Sequence, residues 1–155
     1  MDTTGSIAFA AEKPLGKLAK WLRILGFDTI YEQEVPSTDF KNEKNRGRIY
    51  LTRRKGMRCP FPPVECLTIL SDHVQEQLKE VVTTLCLRSE DIRPFSRCIR
   101  CNNLIEEVER SLVAAKVPDY VFETRNVFRI CSRCDRIYWR GSHSKRIDET
   151  IKRLF

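Results

Sequence analysis

No apolar run in the 155 residues approaches the roughly 18 needed to cross a bilayer, and the N-terminus lacks a charged-then-apolar leader. The expectation is a cytoplasmic protein without a membrane partner. The chain is too short for several large domains, holding one ordinary domain or a small domain plus a satellite. It has no internal repeat and no low-complexity tract. Nor is it poor in apolar residues: 41% hydrophobic with 32% charged excludes a disordered chain. An odd number of cysteines, seven, argues against a fully paired disulfide framework.

What the chain has in excess is positive charge, and that charge is uneven. Residues 1–92 carry 14 basic and 13 acidic side chains, whereas residues 93–155 carry 14 basic and only 8 acidic. Nearly all of the formal +7 therefore sits in the second part. A concentrated positive field attracts polyanions, and without a lipid anchor or basic amphipathic helix nucleic acid ranks ahead of membrane.

Four of the cysteines have a telling spacing. Cys98 and Cys101 form one C-x2-C pair and Cys131 and Cys134 a second. Two residues between thiolates bring both sulfurs onto one knuckle, and two knuckles complete a tetrahedral shell for a structural Zn2+. The spacer between the pairs is long for a ribbon, which predicts a helix over Glu106–Lys116 inserted between them. Cys59, Cys66 and Cys86 read as ordinary buried or free thiols.

Before the knuckles, short apolar runs alternate with helical periodicity. Ile7–Ala11, Asp28–Tyr31, Arg48–Thr52 and Val64–Leu70 read as strands. Leu15, Leu18, Ala19, Leu22 and Leu25 mark one face of a helix stopped by Gly26. Lys13, Lys17, Lys20 and Arg23 step along its other side, either as a solvent face or as a rail for phosphates. The stretch Ser37–Asn45 suggests a short second helix, and Ser71 caps a third carrying Val74, Leu78, Val81, Val82 and Leu85. Such alternation implies an α/β fold, a parallel sheet with helices on both faces. Pro94 marks the boundary between residues 1–92 and a zinc-binding module over residues 93–155 with a basic tail. In that module Val127–Ile130 and Arg136–Trp139 read as a hairpin around the second knuckle. Trp139 among Arg136 and Arg140 suits base stacking with phosphate contacts.

In a doubly wound sheet, ligands bind where strands end and helices begin. Glu12, Asp39 and Asp72 stand at such points and could converge on Mg2+ or Mn2+; the alternative is that Asp39 and Asp72 merely favour helix N-termini.

The stretches FAAEKPLGKLAKWLRILGFDTIY, RGRIYLTRRKGM, SDHVQEQLKEV, PFSRCIRCNNLIEEV and ICSRCDRIYWRGSH together resemble the PIN-like ribonuclease domain named after the C-terminal region of the Mut-seven exonuclease. The resemblance implies a PIN-like α/β nuclease core followed by a small C-terminal zinc ribbon. It also implies a metal-dependent hydrolase acting on RNA, here read as an endoribonuclease, and the aromatic rings interleaved with arginines suit unpaired bases, hence single-stranded RNA as partner. His143 lies in the matching WRGSH stretch and, with Arg140, reads as facing RNA. The departures fall at the acids. Glu12 stands where the family has Asp, Asp39 is only an approximate counterpart with Ser37 nearby, and Arg54 replaces an expected metal-binding Asp. Two readings follow: a metal-dependent ribonuclease weakened by Arg54, and an inactive nuclease-derived protein that still binds RNA. A protein-interaction adaptor built on the ribbon is a third.

Overall fold

The computed structural model describes residues 6–41, 47–56 and 65–155. Four parallel strands, β1 (Ala8–Ala11), β2 (Asp28–Tyr31), β3 (Ile49–Thr52) and β4 (Cys66–Thr68), form one sheet in the order β2-β1-β3-β4. Side chains alternate across a strand, so each strand serves two cores. Phe9, Ala11 and Leu51 point to the face covered by helix α1 (Gly16–Ile24) and helix α3 (Val74–Thr84), where Leu18, Leu22, Leu78 and Val81 are fully buried. Ala10 and Tyr50 point to the other face and meet Phe40 from the one-turn helix α2 (Ser37–Phe40). The parallel sheet with helices on both faces is as expected.

The predicted α1 core face is buried throughout, from Leu15 to Leu25. Its beginning is tighter than periodicity suggests, with a 3-10 turn at Lys13–Leu15 around Pro14. The helix stops at Gly26, whose φ is +96°. A Cβ there would lie 2.3 Å from the Arg93 carbonyl oxygen, so glycine serves both the turn and a close backbone approach. Arg23 departs from the expected exposed stripe: it is only 2% exposed, because backbone carbonyls and Glu34 gather around its guanidinium. The second helix is found only over Ser37–Phe40, the remainder of its predicted span to Asn45 lying largely outside the described residues. Ser71 does not cap α3: His73 flanks the first turn, and Ser71 Oγ accepts only the His73 amide, at 3.3 Å. Instead Glu80, from inside α3, accepts the Leu70 and Ser71 amides, each at 2.8 Å. Cys66 is disulfide-bonded rather than a free thiol.

The C-terminal module holds an antiparallel sheet of β5 (Glu106–Val108), β6 (Phe128–Ile130) and β7 (Ile137–Tyr138), in that order. The helix predicted over Glu106–Lys116 is not formed. Glu106–Val108 pairs with Phe128–Ile130, which lets Val108 pack on the cluster of Val113, Val117, Val121 and Phe128. Within that span only a 3-10 turn forms, over Arg110–Val113, and the α-helix of the insertion begins after Pro118, as α4 (Asp119–Thr124). The expected basic tail is also ordered: Ser142–Leu154 forms α5, and Ile151 and Leu154 pack against the α1/α3 core. The charge-rich sequence hid that apolar stripe.

Candidate functional site

The strand order reverses at β1 and β3, which makes the carboxyl ends of these strands the crevice of the sheet. Glu12 follows β1 there. Its amide donates to the Leu51 carbonyl at 3.1 Å, which carries the parallel pairing one residue beyond the strand. The side chain is 3% exposed. One carboxylate oxygen accepts from Thr52 Oγ1 at 2.7 Å and the Arg53 amide at 3.3 Å. The other accepts from the Tyr50 hydroxyl at 3.2 Å and lies 3.6 Å from Arg54 Nε. Burial, then the charge and hydrogen bond of Glu12, push the Tyr50 phenol well above its ordinary range, so it stays a donor.

Arg53 closes the next gap. Its guanidinium donates to the Ile69 and Ser71 carbonyls and pairs with Asp72. Asp72 itself is 85% exposed. Asp39 lies on the exposed side of α2 and has interaction partners of its own. Among the described residues, the three carboxylates do not form a cluster with ligand atoms within 4.8 Å of one another. Sequence reasoning noted Arg54 and missed Arg53, Tyr50 and Thr52. Tyr50 and Thr52 carry a readable signal, because alternate residues of β3 share one face beside β1.

Cys98, Cys101, Cys131 and Cys134 do form such a cluster, all four sulfurs lying within 4.8 Å of one another. Both knuckles are built alike. The Cys98 amide bonds to the Asn103 carbonyl at 2.7 Å and the Cys131 amide to the Arg136 carbonyl at 3.0 Å. Each knuckle then turns through a left-handed residue, Asn102 (φ 65°) or Asp135 (φ 58°), types that tolerate that conformation. Although burial opposes it, bonds from the Tyr138 hydroxyl and the Cys101 and Arg100 amides lower the Cys98 thiol to about 7. Burial, a bond with Cys134 and the Cys98 charge raise Cys101 to about 12. One thiolate forms readily and the next is resisted, which is the electrostatic demand that a bound divalent cation meets.

The first knuckle is fastened to the α/β sheet. Arg23 Nη1 donates to the Ile99 carbonyl at 2.9 Å and the Arg100 carbonyl at 3.3 Å, while its Nε reaches Thr29 O at 2.9 Å. Asn102 accepts from the Thr29 amide at 2.9 Å and donates to Asp28 at 2.7 Å. Burial opposes ionisation of Asp28, yet Arg48 and Asn102 together hold its carboxyl below the ordinary value.

The residues expected to face RNA are spread over several elements. Lys13, Lys17 and Lys20 are exposed on α1 and the turn before it, and Arg136 is exposed ahead of β7. Trp139 and Arg140 line one cavity of about 410 Å³ between the end of α1 and the ribbon. His143 opens α5 and lines a different cleft, with Trp21, Arg146 and Glu149. Among the described residues, no helix is long and apolar enough to cross a membrane.

A family model for the Mut7-C RNAse domain matches residues 7–151. No curated protein and no solved structure matches the chain significantly.

Proposed function

The chain belongs to the Mut7-C RNAse domain family, and from that premise we propose that it binds single-stranded RNA while its divalent-metal cleavage is weak or absent. The observation that carries this reading is the state of the acid crevice. A catalytic Mg2+ or Mn2+ needs several converging carboxylate oxygens with room for water and substrate. Here Glu12 is engaged by Tyr50, Thr52 and the Arg53 amide, with the Arg54 guanidinium 3.6 Å away. Arg53 engages Asp72. The residues present thus do not fit a catalytic divalent ion, since guanidinium groups stand where one would gather the carboxylates. The same groups, with Lys13, Lys17 and Lys20, suit phosphate contacts.

The four-cysteine cluster does fit a metal, and we assign it a structural Zn2+ held by Cys98, Cys101, Cys131 and Cys134. Four sulfur donors favour a closed, non-catalytic site. With the ribbon held in shape, Arg136, Trp139 and Arg140 are offered to RNA from the ribbon and His143 from the separate cleft at the start of α5, while residues 1–92 supply the nuclease-type sheet.

The assay compares wild type, Glu12→Gln and Arg54→Asp on a labelled single-stranded RNA, with Mn2+ and with chelator, across ionic strengths. Expected are binding that weakens steeply with salt, little or no wild-type cleavage, and a gain in Arg54→Asp that requires Mn2+. Vigorous Mn2+-dependent cleavage by wild type that disappears in Glu12→Gln would overturn the inactive-site reading in favour of a working metal-dependent ribonuclease. Loss of RNA binding at all salt concentrations would overturn both.

A further inference from the structure

We propose that the cavity between the end of α1 and the ribbon is a seat for one unstacked nucleobase of a single-stranded RNA, with Arg125 and Arg140 holding the adjoining phosphates. The inference rests on the RNA-binding reading above and gives it a specific subsite.

The cavity, about 410 Å³, is in the size range of small-ligand sites. Its walls include the rings of Phe95, Tyr138 and Trp139, over an aliphatic floor that includes Ile24, Ile99 and Ile105. Four arginines line it and, among the described residues, no acidic side chain does. Two of the four have structural work: Arg97 donates to the Gly26 and Asn102 carbonyls, and Arg129 to the Phe95 carbonyl at 2.8 Å. The other two are nearer solvent. Arg140 lays its guanidinium over the Phe95 ring, 4.5 Å from its centroid, and reaches Asp148 at the rim. A Cβ built on Gly141 would lie 3.8 Å from Trp139 Nε1 and 4.0 Å from Arg125 Nη2, so an indole donor and a guanidinium approach the same point.

A second observation concerns the backbone. Phe95 has φ +61°, a left-handed conformation that a bulky side chain adopts only when its surroundings enforce it. Its amide is held by the Ile24 carbonyl at 3.0 Å and its own carbonyl by Arg129. The chain therefore spends bonding at both ends of this residue to keep its ring beneath Arg140. Such enforced outliers cluster at ligand sites.

Charge complementarity selects the occupant. An apolar peptide side chain would use the aliphatic lining but would offer nothing to the Arg125 guanidinium, nor an anion to compete with Asp148 for Arg140. A nucleobase offers a flat π-face to the aromatic rings and carries phosphates on either side for the guanidinium groups. The recognition is of the base face and the backbone, so it accepts any of the four bases with modest preference.

The test uses the full chain loaded with zinc, in wild-type form and as Trp21→Phe, in which Trp139 is the sole tryptophan. Each is titrated with a single-stranded RNA of ten nucleotides and with an abasic ribose-phosphate strand of equal length and charge. The expected result is tighter binding of the intact strand, on the order of tenfold, with quenching of Trp139 fluorescence by that strand alone. Trp139→Ala should erase the difference between the two strands, and Trp139→Phe should retain most of it. Equal binding of both strands without quenching would refute the base seat and leave RNA binding intact. Failure of both strands to bind would refute RNA binding itself. Should Trp139→Ala not fold, the two-strand comparison on the other chains decides alone.

Discussion

Replacing Arg23 by Met should be among the most damaging single changes in the protein, although the residue is remote from the acid crevice. The guanidinium is 2% exposed and donates to three backbone carbonyls, those of Thr29, Ile99 and Arg100, as well as to Glu34. Methionine fills similar volume but donates nothing, so the carbonyls lose their partner. A buried acceptor left unsatisfied costs about 1–3 kcal/mol, so three carbonyls toward the lower end of that range cost about 3–5 kcal/mol together. Glu34 is 36% exposed and can be solvated, so its pairing adds little. The expected loss is thus about 3–5 kcal/mol. For a chain of this size each kcal/mol lowers Tm by about 2–4 °C, giving a fall of about 6–20 °C. Glu34→Gln is the control and should cost under about 1 kcal/mol. Thermal unfolding followed by circular dichroism at saturating zinc reads both. If Arg23→Met loses less than about 1 kcal/mol, or if Glu34→Gln costs as much, the carbonyl bonds to the first knuckle do not carry the stability ascribed to them.

Metal analysis of purified protein should return one zinc per chain, and chelation should melt the ribbon, because coordination drives the folding of such modules; a stoichiometry well below one would refute the assignment. The lowered Asp28 carboxyl predicts an acid-sensitive contribution to stability. A group whose folded pKa lies below its unfolded value of 3.8 stabilises above that value, and the benefit is lost as pH falls through the folded pKa. Denaturant titrations below pH 4 should show a loss that is absent in Asp28→Asn. Gly26→Ala combines a left-handed backbone with a Cβ 2.3 Å from the Arg93 carbonyl, and should destabilise by more than the roughly 1–2 kcal/mol of the conformation alone; a change under about 0.5 kcal/mol would show that the α1–Arg93 approach can relax.

Much of the molecule is legible in the sequence where local rules decide. Apolar spacing locates α1 and α3, and the two C-x2-C pairs suffice to bring four sulfurs together, since a knuckle is a local turn. Legibility fails where a non-local partner decides. The stretch from Glu106 to Lys116 has the charged character of a helix, but pairing with Phe128–Ile130 turns its first residues into a strand. Arg23 is spaced like the exposed lysines before it, and only the folded position of Ile99 and Arg100 buries it. In the crevice, Glu12 and Arg54 can be matched to family positions one by one. The engagement of Asp72 by Arg53 cannot, because it depends on the loops that follow two different strands.

The packing of α5 has a kinetic side. Ile151 and Leu154 complete the cover of a core whose other members lie between Ile7 and Ile92, so the last contacts of the α/β sheet span the whole ribbon in sequence. Such distant pairings raise contact order and slow folding. As the chain leaves the ribosome, the sheet and its two long helices emerge first with part of their apolar surface bare. The cysteine knuckles lie between those elements and α5, so their closure shortens the loop that α5 must span to reach back. The bare apolar surface at that stage is of the kind that invites chaperone binding and aggregation, and with the proposed zinc in the knuckles, metal present during synthesis should raise the share of chain that ends up native.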